Sequence, residues 1–338
     1  MSVPVFTSDR IQDALYAFTR SQILCTAIDL DLFSRIAEGD NTLELLRERL
    51  GSSRSGLRIL LNGLIGINFL EKTAEAIYTL PPDVARFLVR DSEQYIGGMV
   101  HHCKRLYENW EQLTDTVRFG QPAGGAQSLA QLETHFAELV KGLYVSNYPP
   151  ACKLGALLDT LVQSDDAIPL EVLDIAGGSA VWSIGILEQI AHSRATIVDF
   201  PSVIHVAQDY VAHHQLNDRY SYWSDDLEDV TLPPAHFDVA LMANICHALG
   251  PVSTRKAFQK LSTSIKPGGR LVIIDFVPDD QRSKPGWPLI FGVNMLITTA
   301  EGDVFTAAEY TKWLLASGFR HVTFHELETD VTAIIAER

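Results

Sequence analysis

Apolar positions change their period partway along this chain. From Asp9 to Ala37 they recur at helical spacing, broken by the acidic pair Asp29 and Asp31. TLELLRERLGSSRSGLRILLNGLIGINFLEK follows, then AIYTLPPD. That order predicts a helix, a Gly-Ser turn, a second helix with the apolar stripe Leu57, Leu60, Leu61, Leu64 and Ile65, and a short hairpin. Two further helical stretches, MVHHCKRLYENWEQLTDTV and ETHFAELVKGLYVSNY, flank a Gly/Pro/Ala loop at 120–126, and Pro149-Pro150 is expected to interrupt the second. From about residue 170 the runs shorten to EVLDIA, ATIVDF, YSYW, FDVALMANI and GGRLVIIDF, and the early ones alternate with helical segments.

Such alternation predicts an α/β domain with a parallel doubly wound sheet. The last two runs, HVTFHEL and VTAIIAE, are separated by too few residues for a crossover helix. They are expected to form a hairpin and so place one antiparallel strand in the sheet. Thr306 and Glu309 form a capping box ahead of a helix that should end near Gly318. The expected layout is a helical and winged unit over 1–95, a helical linking region over 96–160, and the sheet domain over 161–338.

A helix-turn-helix with a wing is also a DNA-binding shape. Its second helix carries only Arg54 and Arg58, however, and the formal net charge is −15, so packing or dimerisation is the expected role and nucleic acid is not an expected partner. No apolar run approaches membrane-spanning length, and the N-terminal segment has charges at Asp9, Arg10 and Asp13 in place of a secretory core, which predicts a cytoplasmic address. The four cysteines (Cys25, Cys103, Cys152 and Cys246) show no CxxC pairing. His101, His102 and Cys103 are adjacent on a helix, diverge by about 100° each, and cannot all face one ion, so no metal site is expected.

The candidate chemistry lies at the strand ends. Asp174 closes the first strand of the sheet and Asp199 the second, where an acidic side chain can accept hydrogen bonds from ribose hydroxyls. The loop after Asp174 reads AGGSA and lacks the GxGxxG that would bring backbone N–H groups to a pyrophosphate. A second acidic tier follows at Asp225 and Asp226. Carboxylates in these places repel phosphates but suit a cationic, phosphate-free nucleoside, and S-adenosylmethionine (SAM) fits that description.

At this point the chain resembles the class I SAM-dependent methyltransferases, and more narrowly the caffeate/hydroxyindole-type O-methyltransferases. The resemblance spans nearly the whole chain. It rests on LDIAGGSA for the family's D-x-G-G-G-S-G, VDFP for D-L-P, SDDLED for G-D-x-F-E and NICH for I-L-H-D, together with KPGGRLVIID and AAEYTKWLLASGF. It implies a Rossmann-like seven-stranded sheet with one antiparallel strand, a winged-helix dimerisation domain, a homodimer, and methyl transfer from SAM to a small aromatic or enolic metabolite in specialised metabolism. Transfer to oxygen is the first expectation; transfer to a phenol or keto-acid carbon, or a non-methylating activity, stays open. Gly177 and Gly178 would let the backbone approach the methionyl part of SAM, with Asp174 and Asn244 beside it. Asp199 would bind the ribose, Phe200 or Leu227 would flank the adenine, and Asp226 would accept from its amino group. Alanine at 176 and 180 is harmless there wherever φ is negative.

The same resemblance makes His247 the general base, since a ring titrating near 6.5 can take the proton of a phenol as its oxygen attacks. Of the two acids that orient that ring in the family, Asp275 matches one and Val304 stands at the other, with Glu301 and Asp303 nearby; Ala248 replaces the Asp that follows the His. Met99, His101, His102, Trp110, Tyr144, Asn294 and Met295 are the candidate acceptor-lining residues.

Overall fold

The structure, a computed structural model, describes residues 8–122, 133–162, 169–225 and 229–338, without the side chains of 133–135. The chain divides into two compact units, Met1–Lys104 and Arg105–Arg338. The stretch 96–160 is thus shared between them: its first residues go with the helical unit and the rest with the sheet.

In the first unit, α1 (Asp9–Asp29) and α2 (Leu32–Ala37) are separated where Asp31 turns left-handed at φ 54°. Thr42 caps α3 (Leu43–Leu50) by accepting from the Leu45 N–H, and Gly51 ends it at φ 58°. Ser53 caps α4 (Arg54–Gly66) by accepting from the Gly56 N–H, so the Gly-Ser turn serves as stop and start together. Leu57, Leu61 and Leu64 are buried, with Leu60 and Ile65 at the edge of the same core beside Leu46, Phe33 and Tyr78. A two-stranded wing follows, β1 (Glu71–Lys72) against β2 (Tyr78–Thr79), and then α5 (Pro82–Leu88). Arg54 is bound by Glu44 at 2.7 Å, which leaves the second helix with little positive charge to offer. On α1, Leu15 and Tyr16 are about two-thirds exposed and Ile11 and Phe18 also face outward, an uncovered apolar row within this unit. The helix α6 (Met99–Glu111) runs across the boundary between the units.

The second unit continues with α7 (Leu113–Phe119) and α8 (Glu133–Leu161). Contrary to the sequence expectation, Pro149 and Pro150 lie inside α8 and do not end it. Proline removes an N–H and crowds the preceding turn, but packing outweighs that cost here. A Cβ on Gly155 would fall 2.1 Å from the Gly185 carbonyl oxygen, so α8 is pressed backbone to backbone against α9 (Val181–Gln189).

The sheet comprises β3 (Leu170–Ile175), β4 (Ser193–Asp199), β5 (Tyr220–Ser224), β6 (Phe237–Ala243), β7 (Ile265–Asp275), β8 (Arg320–Glu328) and β9 (Val331–Glu337). Their order is β5-β4-β3-β6-β7-β9-β8, and β9 alone runs antiparallel to its neighbours, paired with both β7 and β8. Between them lie α10 (Pro201–His213), α11 (Cys246–Ser264), α12 (Gly286–Thr298) and α13 (Ala307–Ala316). The expected capping box at Thr306 and Glu309 opens α13. Alternation along the strands divides the core: Val172, Ile197, Leu241 and Ile274 share a cluster with α8, α9 and α10, while Leu173, Val198, Met242 and Ile273 share one with α11 and α13. The chain leaves β3 for β4 on one side and reaches β6 on the other, so the switch point lies at the carboxyl end of β3.

Candidate active site

Three acidic residues stand at neighbouring strand ends: Asp174 on β3, Asp199 on β4 and Asp225 just after β5. Pairing in register brings them together, since Ile175 lies beside Val198 and Asp199 beside Ser224. Asp174 falls on the inward face with Val172 and is fully buried, where the Ser183 hydroxyl of α9 donates to its Oδ2 at 2.6 Å. Burial lifts the carboxyl to about 7; the Ser183 hydrogen bond opposes this and the Asp199 charge adds to it. Its Oδ1 has no hydrogen-bond partner among the described residues. Asp199 accepts from the Gly178 N–H (2.9 Å) and the Phe200 N–H (2.8 Å), which ties the glycine loop to the end of β4.

The loop conformation corrects the expectation for its alanines. Ala176 (φ 52°), Gly178 (φ 61°) and Ala180 (φ 62°) all occupy the left-handed region. Each alanine there carries roughly 1–2 kcal/mol of backbone strain. They are tolerated because the loop must reverse between β3 and α9 within a few residues, and the Ala180 methyl is buried in the core. Asn244 (φ 54°) makes a similar bend after β6, its N–H bonded to the Ile274 carbonyl at 2.8 Å. Asparagine enters this region more readily than most residues. A Cβ on Gly177 would meet Ile197 at 2.9 Å and Asp174 at 3.1 Å, and one on Gly178 would meet Val140 of α8 at 3.2 Å. Asp226 and Leu227, expected at the adenine, lie outside the described residues.

The Asn244 bend leads into α11, and the second residue of that helix, His247, is 6% exposed. Its Nδ1 lies 2.6 Å from Oδ1 of Asp275, the buried last residue of β7. A carboxylate only accepts, so Nδ1 carries a proton and, in the neutral ring, Nε2 keeps the lone pair. The ring is packed edge-on by Phe291 of α12 (centroids 4.8 Å, 78°) and near-parallel by Phe276 (6.1 Å, 23°), and Trp287 touches both phenylalanines. Asn294, three residues beyond Phe291 and on the same side of α12, has a buried Oδ1 without a partner among the described residues. Met295 is buried.

Among the described residues, no second carboxylate is bonded to the imidazole. Val304 is buried, Glu301 is exposed, and Asp303 accepts from the Val304 N–H and faces Arg282 at 3.8 Å. Instead, Asp275 is itself held: its Oδ1 also accepts from the Phe276 N–H at 2.8 Å, and its Oδ2 accepts from the Tyr310 hydroxyl of α13 at 2.6 Å.

The expected acceptor-lining residues fall on three helices, α6, α8 and α12. Met99, His101 and His102 belong to the first unit and Trp110 to the second, all on α6. Tyr144 is stacked on Tyr210 at 3.8 Å, and its hydroxyl lies 2.5 Å from Nε2 of His214, whose Nδ1 reaches Glu188 at 2.7 Å. That phenol is therefore committed to packing between α8, α9 and α10. Sequence reasoning missed Tyr310, Phe276, Phe291 and Ser183. The first directly follows Glu309 of the capping box and the second directly follows Asp275, so their neighbours were the available signal. Among the described residues, no group of three His, Cys, Asp or Glu side chains could hold a metal ion, and no helix is long and apolar enough to cross a membrane.

A doubly wound sheet with β9 reversed, acidic strand ends around a glycine turn, and a buried His–Asp pair at the carboxyl edge define a class I SAM-dependent methyltransferase. The chain belongs to the O-methyltransferase family: the model of the O-methyltransferase domain matches residues 156–320 and that of the O-methyltransferase dimerisation domain residues 12–91. It is similar to the tetracenomycin polyketide synthesis 8-O-methyl transferase TcmO of Streptomyces glaucescens, 28% identical over 311 residues, 90% of this chain and 89% of that protein. The acetylserotonin O-methyltransferase of Bos taurus is 26% identical over 335 residues, 95% of each chain. In fold, the crystal structure of human N-acetylserotonin methyltransferase in complex with SAM matches 100% of this chain and 99% of its own, with a TM-score of 0.84 at 21% identity.

Proposed function

We propose that this chain transfers the methyl group of SAM to an acidic hydroxyl of a small aromatic or enolic metabolite, with His247 as general base. The observation that carries the reading is the buried His247–Asp275 pair beside a strand edge whose charged groups are carboxylates. A donor set of that kind fits SAM, a cation with two ribose hydroxyls and no phosphate, and would repel a dinucleotide. In the proposed arrangement Asp199 holds the ribose, Gly177, Gly178 and Asn244 leave room for the methionyl part, Asp174 lies beneath it, and Phe200, Leu227 and Asp226 surround the adenine.

When bound, SAM supplies a methyl group on a positively charged sulfur. The protein's own part is alignment and proton removal. Asp275 holds the imidazole so that Nε2 faces the acceptor, and Nε2 takes the hydroxyl proton as the oxygen attacks. Phe276, Phe291 and Trp287 offer flat apolar faces to an aromatic acceptor, and the free Asn294 Oδ1 offers it one hydrogen-bond acceptor. With one orienting carboxylate where the family pattern has two, the base suits a phenol or enol more acidic than phenol itself. Two of the relatives act, by their names, in tetracenomycin polyketide synthesis and on acetylserotonin, which agrees with such an acceptor.

The uncovered apolar row on α1, of which Leu15, Tyr16 and Phe18 fall within the matched dimerisation domain, supports a homodimer built through the first unit. The test of the activity is incubation of the purified protein with methyl-labelled SAM and a panel of phenols, enols and keto acids. A product heavier by one methylene and labelled on oxygen is expected. Label on carbon would replace the oxygen reading, and no SAM binding at tens of micromolar would remove the cofactor assignment.

A further inference from the structure

The Tyr310 hydroxyl is one of the few polar groups in the core cluster beneath α11 and α13, and it faces a carboxylate. Tyr310 is fully buried on α13, opened by the Thr306–Glu309 capping box, so its position is fixed by packing at both ends of the side chain. Burial first, and then the Asp275 charge, push its hydroxyl well up, so it is a permanent donor. The Cys246 thiol, also fully buried and pushed up by that burial, carries no charge toward the pair.

The Asp275 carboxylate therefore has three donors: the His247 imidazole and the Phe276 N–H at Oδ1, and Tyr310 at Oδ2. Each donor withdraws charge from the carboxylate and weakens its hold on the others. The remaining ionisable groups near the ring do not compensate, since Glu301 is exposed and Asp303 faces Arg282, which in turn binds Glu309. We infer that Tyr310 is a positioning residue: it tethers the outer oxygen of Asp275 and moderates the pull of that carboxylate on His247. This rests on the reading of His247 as the base, and it names a residue that acts through Asp275 without touching the acceptor.

The sign of the effect follows. Without the Tyr310 hydroxyl, Oδ1 becomes the stronger acceptor, the imidazolium is better stabilised, and the ring takes up a proton at higher pH.

The experiment uses the full-length chain labelled with ¹⁵N-histidine and follows the ring nitrogens of His247 through a pH titration, assigned by their loss in His247→Gln. In Tyr310→Phe the midpoint is expected to move up by roughly half a pH unit, the size of a charge-assisted hydrogen bond relayed through one carboxylate. A second readout is the acid limb of kcat/KM for methyl transfer, which moves in the same direction. A purely structural tyrosine would lower thermal stability and leave the His247 titration in place, and that result overturns the proposal. Should Tyr310→Phe fail to fold, 3-fluorotyrosine in the otherwise unaltered chain replaces it. One fluorine resonance must then follow the His247 titration and cease to do so in His247→Gln; absence of such a resonance also overturns it. The titration needs neither methyl donor nor acceptor, so it can fail while methyl transfer stands, and methyl transfer can fail while the tether is confirmed.

Discussion

Nδ1 of His247 and Oδ1 of Asp275 stand 2.6 Å apart although 28 residues separate them in sequence. The pair exists because β6 and β7 are neighbours in the sheet and end at the same edge. One residue comes from the turn into α11 and the other from the strand end. The functional consequence is a fixed tautomer with a free Nε2.

Removing the base should be costly and specific. His247→Ala is expected to lower kcat by about 10²–10⁴-fold, the usual contribution of a positioned base, while SAM affinity stays within a factor of two or so. Asp275→Asn can present its NH₂ to Nδ1 and invert the tautomer, so a loss of similar size is expected. Initial rates with labelled SAM and calorimetric binding check both, and full turnover by His247→Ala removes the base assignment.

Asp199 is predicted to govern cofactor affinity. Asp199→Ala takes away a charged acceptor for the ribose and also frees the Gly178 and Phe200 N–H groups it now holds. Charge-assisted hydrogen bonds contribute about 1.5–3 kcal/mol, so Kd for SAM should rise by roughly 10–100-fold. Titration calorimetry measures this directly, and an unchanged Kd would move the ribose elsewhere.

The two alanines of the glycine loop should respond differently to glycine. Ala176 is only partly buried, so Ala176→Gly relieves left-handed strain with little packing loss; a gain of about 0.5–1 kcal/mol is expected after the entropic cost of glycine in the unfolded chain. Ala180 is fully buried, and Ala180→Gly gives up that methyl as well, so its net effect should be near zero or destabilising. Denaturant unfolding of both variants at one protein concentration decides the matter.

Asp174 makes stability depend on pH. Its folded-state value, raised to about 7 from an ordinary 3.8, means that between those values the folded chain holds a proton which the unfolded chain has released. Stability attributable to this residue is therefore greatest below about pH 4, falls as pH rises to about 7 by up to something on the order of 4 kcal/mol, and is flat above. Asp174→Asn should flatten that slope, read as a smaller difference between unfolding free energies at pH 5 and pH 8.

The apolar row on α1 predicts the oligomeric state. Leu15→Ser with Phe18→Ser removes two large exposed apolar side chains from the matched dimerisation domain. Sedimentation should show a dimer for the unaltered chain and a shift toward monomer for the double variant. A monomer in both cases would leave the row without this partner.

Local sequence pattern alone determined the alternating unit from residue 170 onward, the reversed final strand, the Thr306–Glu309 capping box and the Gly-Ser turn between α3 and α4, because each depends on spacing within one short segment. Asp174 and Asp199 were legible for a related reason, since acidic residues that close apolar runs emerge at strand ends, whereas His247 and Asp275 were named through the family resemblance. Tertiary structure decided the rest. The sign of φ at Ala176 and Ala180 depends on how sharply β3 must turn into α9, which no composition reveals. Pro149 and Pro150 stay inside α8 because close packing against α9 outweighs a local penalty. Tyr144 is drawn into the stack with Tyr210 and the hydrogen bond to His214, contacts made across helices far apart in sequence. The support behind the His247–Asp275 pair comes from a phenol 35 residues past Asp275, on a helix brought there by the fold. Local patterns name the groups at a strand end, but only the packed chain fixes which donors surround a carboxylate, and those donors set how strongly it acts on its histidine.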